Sequence, residues 1–274
     1  MSGPAPRRPQ SRAAQRALGD ARAAPNVPWI ASLSGASTRE LTELLAEIDE
    51  LVPVESEIRA AHLAAGRPGY AQIHAPFDLY ALVRLGRPDH IVEAGVSSGV
   101  SSAHFLLALA KNRHGRLHSI DWPTFQEGPQ LGTRESPVSI PPGHRSGWAV
   151  PDRWKAGWDL RIGKSQDLLP KLIEELPSVG IFLHDDLHTP RHLAFELRTV
   201  RPKLAPGSVV LADNTVWTGK AFPRFARSLG VPWFRRARSD LVGLRTPEGA
   251  PRSRGSSPSK ERRRPRPYPR RRLS

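Results

Sequence analysis

The stretch IVEAGVSSGVSSAHF, Ile91 to Phe105, decides the fold. Ile91 and Val92 form a short apolar strand that ends at the acid Glu93. Gly95 and Gly99 then allow a sharp turn, and Ala103, Phe105, Leu106, Leu107, Leu109 and Ala110 recur at helical spacing. A strand, a tight glycine turn and a helix within about 20 residues form half of a ligand-binding α/β unit. The helix N-terminus offers unpaired amides and a positive dipole end to whatever sits over the turn.

Working outward, apolar strands are expected at 90–94, 117–120, 159–162, 179–184, 208–212 and 240–245, with Val231 to Phe234 a weaker candidate. Helices are expected at 99–111, 166–176, 189–201 and 219–229. Such alternation calls for a mostly parallel sheet covered on both faces, with ligands beyond the carboxyl ends of its strands. Upstream, Ser37 and Glu40 make a capping box ahead of Leu41, Leu44, Leu45, Ile48 and Leu51, and Pro53 closes or kinks that helix. A second helical piece runs from Glu55 to Ala65, Gly66 to Gly69 reads as a turn, and Pro76 opens a third helix. The division expected is a disordered segment 1–30, cover or interface helices 31–88, a core 89–246 with a Trp-rich insertion 122–158, and a disordered basic tail 247–274. The insertion, with Trp122, Trp148 and Trp154, is either an active-site wall or a peripheral decoration.

Of the net charge of +15, residues 251–274 carry +9 and residues 1–25 carry +4, which leaves +2 for the part between. The folded region is nearly neutral, so the tail allows non-specific contact with polyanions without supporting sequence-specific recognition. Cysteine is absent, which excludes disulfides, zinc-thiolate sites and cysteine nucleophiles. No apolar run is long enough for a membrane span and no secretory pattern follows the N-terminus, so a cytoplasmic location is expected.

Glu93 lies just inside the glycine turn, and Asp121, at the end of the next strand in LHSIDW, can accept hydrogen bonds from both hydroxyls of a ribose. These features point to a nucleoside-containing cofactor. A dinucleotide would prefer a further glycine at position 97, which is serine here. At the other end, HDDLHTPRH (184–192) follows one apolar strand and ADN (212–214) follows another. Asp185, Asp213 and Asn214 either cap the helices after those strands or give three oxygen ligands to a hard ion such as magnesium. His184 reads as a strand-end structural residue. Asp186 serves a water, a substrate or solvent, and His192 shares a helical face with His188. Trp217, Lys220, Phe222 and Phe225 serve packing or an acceptor wall.

The segments EAGVSSGVSS, LHSIDWP, GKSQDLLP, IFLHDDLHT and LAPGSVVLADNTVW, in that order across residues 70–245, resemble the class I S-adenosylmethionine-dependent methyltransferases. They are closest to the small-molecule O-methyltransferases, including the metal-dependent sugar and macrolide type. The resemblance implies a Rossmann-like fold with a seven-stranded, mostly parallel sheet flanked by helices, behind N-terminal cover helices. It implies S-adenosyl-L-methionine held by Glu93, Gly95, Gly99 and Asp121, with Ser165 and Asp167 near the adenine. It implies Mg2+ on Asp185, Asp213 and Asn214, with Asp185 and His188 catalytic and His188 the base. A metal-lowered hydroxyl pKa and an imidazole can share one proton-removal step. A small hydroxylated metabolite, natural-product scaffold or sugar is the expected acceptor, and a homodimer is a family-level expectation. A nicotinamide-dependent oxidoreductase, a nucleic-acid methyltransferase or binder using the basic tail, an N-methyltransferase and a silent interaction protein remain as alternatives.

Overall fold

The computed structural model describes residues 25–66, 75–123, 140–141 and 143–249. Seven strands form one sheet: β1 His90–Ala94, β2 Arg116–Asp121, β3 Trp158–Ile162, β4 Val179–His184, β5 Leu204–Ala212, β6 Phe234–Arg235 and β7 Val242–Arg245. Their order is β3-β2-β1-β4-β5-β7-β6, with β7 antiparallel to both its neighbours and the other pairs parallel. The chain reverses its direction of travel across the sheet between β1 and β4, so a ligand crevice opens beyond the ends of those two strands. The expected α/β architecture is the one observed.

Among the described residues eight α-helices surround it: α1 Val27–Ser34, α2 Thr38–Leu45, α3 Val52–Ala64, α4 Pro76–Gly86, α5 Val100–Asn112, α6 Ser165–Glu175, α7 Pro190–Val200 and α8 Ala221–Leu229. Period-two alternation sorts the strand residues between two cores. Ile91, Leu117, Ile181, Leu183, Val209 and Leu211 pack with α1 to α5 on one face. Val92, Ala94, Ile120, Phe182, Val210 and Ala212 pack with α6 to α8 on the other.

Two N-terminal expectations change. Residues 27–30 belong to α1 instead of a disordered segment, because Trp29 and Ile30 are buried and Trp29 Nε1 donates to the Phe234 carbonyl at 3.0 Å. Asp78, buried at the start of α4, pairs with the buried Arg236 and accepts the Asn26 amide at 2.9 Å. Helix α1 thus covers the β6–β7 edge of the sheet and not the ligand crevice. Pro53, expected to close or kink a helix, sits in the first turn of α3, where its missing N–H leaves no bond unmade. The Ser37–Glu40 capping box forms as read. The turn at 67–69, residues 1–24, 124–139 and 142, and the tail from 250 onward lie outside the described residues.

Candidate active site

The turn after β1 owes its shape to close backbone packing. Gly95 has φ +93, and a Cβ there would stand 2.0 Å from the Asp185 carbonyl oxygen at the end of β4. Gly99 has φ +90, and a Cβ there would meet Val150 at 2.4 Å and Gly147 at 3.0 Å. Both glycines therefore admit neighbouring protein at the turn. Ser97 has φ +50, so it adopts the left-handed backbone that glycine favours, and the turn keeps its form without one.

Glu93 lies under the turn, fully buried. It accepts hydrogen bonds from Ser101 Oγ at 2.5 Å, Ser102 Oγ at 2.7 Å and Ser119 Oγ at 2.6 Å. Trp158 Nε1 donates onward to Ser119 Oγ at 2.8 Å. Burial pushes the Glu93 carboxyl up to about 7 against the pull of those three hydroxyls. Glu93 therefore braces β1, β2 and α5 beneath the site. Asp121 lies at the rim, its Oδ1 accepting the Val96 amide at 3.1 Å and its Oδ2 accepting the Ser146 hydroxyl. Burial raises its pKa.

Ser146 comes from the insertion. Gly147 N donates to Ser97 O at 2.8 Å and Ala149 N to Ser98 O at 3.0 Å, so residues 146–149 lie as a strap along the turn. Trp148 between them stacks on His62 of α3 at 4.7 Å and meets His144 edge-on at 4.9 Å. Arg153, with both terminal nitrogens 2.7 Å from Glu57, ties the strap's far end to the same helix. The described part of the insertion is thus a wall of this crevice.

Beyond β4 and β5, the register His184↔Ala212 places Asp185 and Asp213 side by side at adjacent strand ends. Burial, then repulsion from Asp213, raises the Asp185 carboxyl well above the usual carboxylate range; Glu93, Asp186 and Asp121 push it the same way. Such crowding of carboxylates suits a cation, and with Asn214 the donors are the oxygens a hard divalent ion takes. Asn214 itself is left-handed at φ +50, its amide held by Asp213 Oδ1 at 2.8 Å. His188 Nε2 lies 3.4 Å from Asp185 Oδ1 and its ring is 5.9 Å from that of Trp217, which is 45% exposed. Burial lowers the His188 pKa to about 4, so its imidazole is neutral near pH 7.

Behind these residues lies a buried polar cluster. His184 Nδ1 is 2.6 Å from Glu196 Oε2, so this histidine meets an acid and not the backbone. His192 Nε2 lies 3.0 Å from Glu196 Oε1 and 3.2 Å from Asp186 Oδ2. Desolvation works against the charged form of His192, yet bonds to Asp186 and Glu196 raise its pKa to about 10. Ser165 turns its hydroxyl into this cluster, 2.9 Å from Asp186 Oδ2, instead of toward an adenine, while Asp167 stays exposed in the first turn of α6.

Residues 92–215 match a family described as a methyltransferase domain. Those residues carry a methyltransferase domain. Among solved structures, the methyltransferase is similar to a Staphylococcus aureus protein named after caffeoyl-CoA O-methyltransferase, at 11% identity and TM-score 0.51, covering 76% of this chain and 99% of that one. Cofactor-bound Rv0187 from MTB is similar at 16% identity and TM-score 0.50, covering 72% and 90%. The O-methyltransferase TomG of Streptomyces achromogenes, involved in tomaymycin synthesis and solved with SAM, is 22% identical with TM-score 0.49, covering 71% and 89%. At such identities the first two support the fold. Comparison with curated proteins gives no match. The family match removes the oxidoreductase alternative.

The methyltransferase thus brings Gly95, Asp121, Asp185, Asp213, Asn214 and His188 to one crevice. Glu93 and the Ser165 side chain are turned into supporting positions. Sequence reasoning missed Ser146, Trp158 and Glu196. The first two carry no local signal, but His192 and Glu196 stand four apart on a helix, a spacing that places them on one face.

Proposed function

We propose that this methyltransferase transfers a methyl group from S-adenosyl-L-methionine to a hydroxyl of a small metabolite, natural-product or sugar scaffold. A magnesium ion on Asp185, Asp213 and Asn214 assists, and His188 is the base. The observation that carries this reading is the convergence of Asp185 and Asp213 with a neutral His188 beside Trp217. The cofactor, when bound, supplies a methyl group on a cationic sulfonium, and a divalent ion, when bound, supplies Lewis acidity that favours the ionised acceptor hydroxyl. The chain supplies the rest. Asp121 offers carboxylate oxygens to the ribose, and the segments at Ser165 and Asp167 border the adenine. Trp217 offers a flat wall to the acceptor. His188 takes the hydroxyl proton at Nε2, and the cation so formed is balanced by Asp185 at 3.4 Å. A pKa of about 4 makes the imidazole a weak base on its own, so proton transfer leans on that carboxylate and on the acidified acceptor. Methyl transfer then requires only that the oxygen be aligned with the sulfonium carbon.

None of the described helices is long and apolar enough to cross a membrane. We place the enzyme in the cytoplasm, as a homodimer on family precedent, with the charge of the arginine-rich tail suiting non-specific contact with polyanions.

Calorimetric titration of S-adenosylmethionine, with and without magnesium and with Asp121→Ala as control, tests the cofactor assignment. Micromolar binding that the control weakens is expected. A screen of hydroxylated acceptors with and without EDTA tests the rest. No cofactor binding in either condition sinks the whole reading, whereas turnover indifferent to EDTA removes only the metal.

A further inference from the structure

Among the described residues, Asp186, His192 and Glu196 are the group of three acidic or histidine side chains whose ligating atoms lie within 4.8 Å of one another. We propose that they form a second cation site, separate from Asp185, Asp213 and Asn214, that takes a transition ion such as zinc. The site would tie the end of β4 to α6 and α7.

The geometry is over-subscribed for hydrogen bonds alone. His192 Nε2 faces Asp186 Oδ2 at 3.2 Å, Glu196 Oε1 at 3.0 Å and Ser165 Oγ at 3.0 Å. One ring nitrogen carries at most one proton, which cannot be well directed at three oxygens. Donors bound to one ion at about 2.0 to 2.1 Å sit roughly 2.9 to 3.4 Å apart, for octahedral to tetrahedral angles. The three separations from His192 Nε2 fall in that range, as does Ser165 Oγ to Asp186 Oδ2 at 2.9 Å. The ligands also have supports of their own. His184 Nδ1 holds Glu196 Oε2 at 2.6 Å, leaving Oε1 to the site. The Gln166 amide lies 3.0 Å from His192 Nδ1, and with its oxygen turned to the ring it would accept that N–H and free Nε2 to bind metal. His192 and Glu196 come from successive turns of one helix face, a rigid chelating pair. A dication on the neutral imidazole would take the place of the proton that His192 now shares with the two carboxylates, where Glu196 is fully buried and His192 nearly so. One imidazole with carboxylates and a hydroxyl favours zinc or manganese over magnesium, which prefers oxygen alone.

The test uses full-length protein stripped with EDTA and reloaded with Zn2+. Bound metal is read by mass spectrometry of the digested sample, with Co2+ absorbance as a report of nitrogen–oxygen ligation. Asp213→Asn should keep one zinc ion at this site, while adding His192→Gln or Asp186→Asn to that variant should weaken its zinc binding at least tenfold. Asp186 is a quarter exposed and its amide variant conserves shape, so this variant remains informative if His192→Gln does not fold. Zinc retained when both cluster changes are made in turn on Asp213→Asn, or no zinc in Asp213→Asn alone, would overturn the site and leave a purely hydrogen-bonded network.

Discussion

Replacing Glu93 by glutamine should remove a pH dependence that the fold itself creates. The carboxyl ionises near 4.5 when unfolded and near 7 when buried under the turn, burial being the main cause. Below 4.5 both states hold the proton and above 7 both have lost it. Between those values the unfolded chain releases a proton that the folded chain keeps, so this group's contribution to stability is full at low pH and disappears as pH rises. At about 1.4 kcal/mol per pH unit, the interval from 4.5 to about 7 corresponds to roughly 3 kcal/mol. No discount for solvent applies, because Glu93 is 0% exposed. The glutamine variant can still receive the hydroxyls of Ser101, Ser102 and Ser119 after one of them rotates to accept, and it cannot ionise. Urea unfolding of both proteins without cofactor, at intervals from pH 4.5 to 8, would measure the difference. The variant should gain on wild type by roughly 3 kcal/mol across the window and then run parallel to it. Parallel curves throughout, or a wild type that gains with rising pH, would refute the reasoning and mean that the three hydroxyls outweigh desolvation.

Three other changes probe the same turn. Gly95→Ala puts a methyl group 2.0 Å from the Asp185 carbonyl at φ +93 and should cost about 3 kcal/mol or more in thermal unfolding, with loss of cofactor binding. Ser97→Gly should be neutral or stabilising by up to about 1 kcal/mol, and Ser97→Val destabilising by about 1 kcal/mol or more, because φ is +50. Ser146→Ala removes the hydroxyl that now holds Asp121 Oδ2 and should tighten S-adenosylmethionine binding by up to about tenfold in calorimetry. Weaker binding there would show instead that Ser146 stays and helps hold the cofactor.

The strands and the ligand end of the sheet were readable because each rests on short-range patterns. Apolar runs gave β1 to β5 to within a few residues, and the acids at strand ends gave Asp121, Asp185 and Asp213. Glycine roles were legible as turns but not as to what they admit, because the Asp185 carbonyl and Val150 come from distant parts of the chain. Pro53 misled for a related reason. A proline after an apolar helix signals an end equally well as a new beginning, and the short helical turn at Ile48–Leu51 that separates α2 from α3 has no marker. Ser146 was invisible, since nothing in RSGW announces that its hydroxyl meets an aspartate 25 residues earlier. Glu93 stood out as an acid at the turn, yet only the strand register and helix phase show three serines closing over it.

The seat of helix α1 bears on how the chain is made. Trp29 and Leu33 meet Phe234 and Gly243, about 200 residues later in synthesis. At roughly 5 to 20 residues per second, a ribosome would leave that apolar face waiting for about 10 to 40 s, while β1 to β4 and the cofactor turn could already assemble. A nascent chain halted before β6 should therefore hold a formed crevice and a first helix whose Trp29 and Leu33 still lack their sheet partners. That interval is when a chaperone would have most to hold.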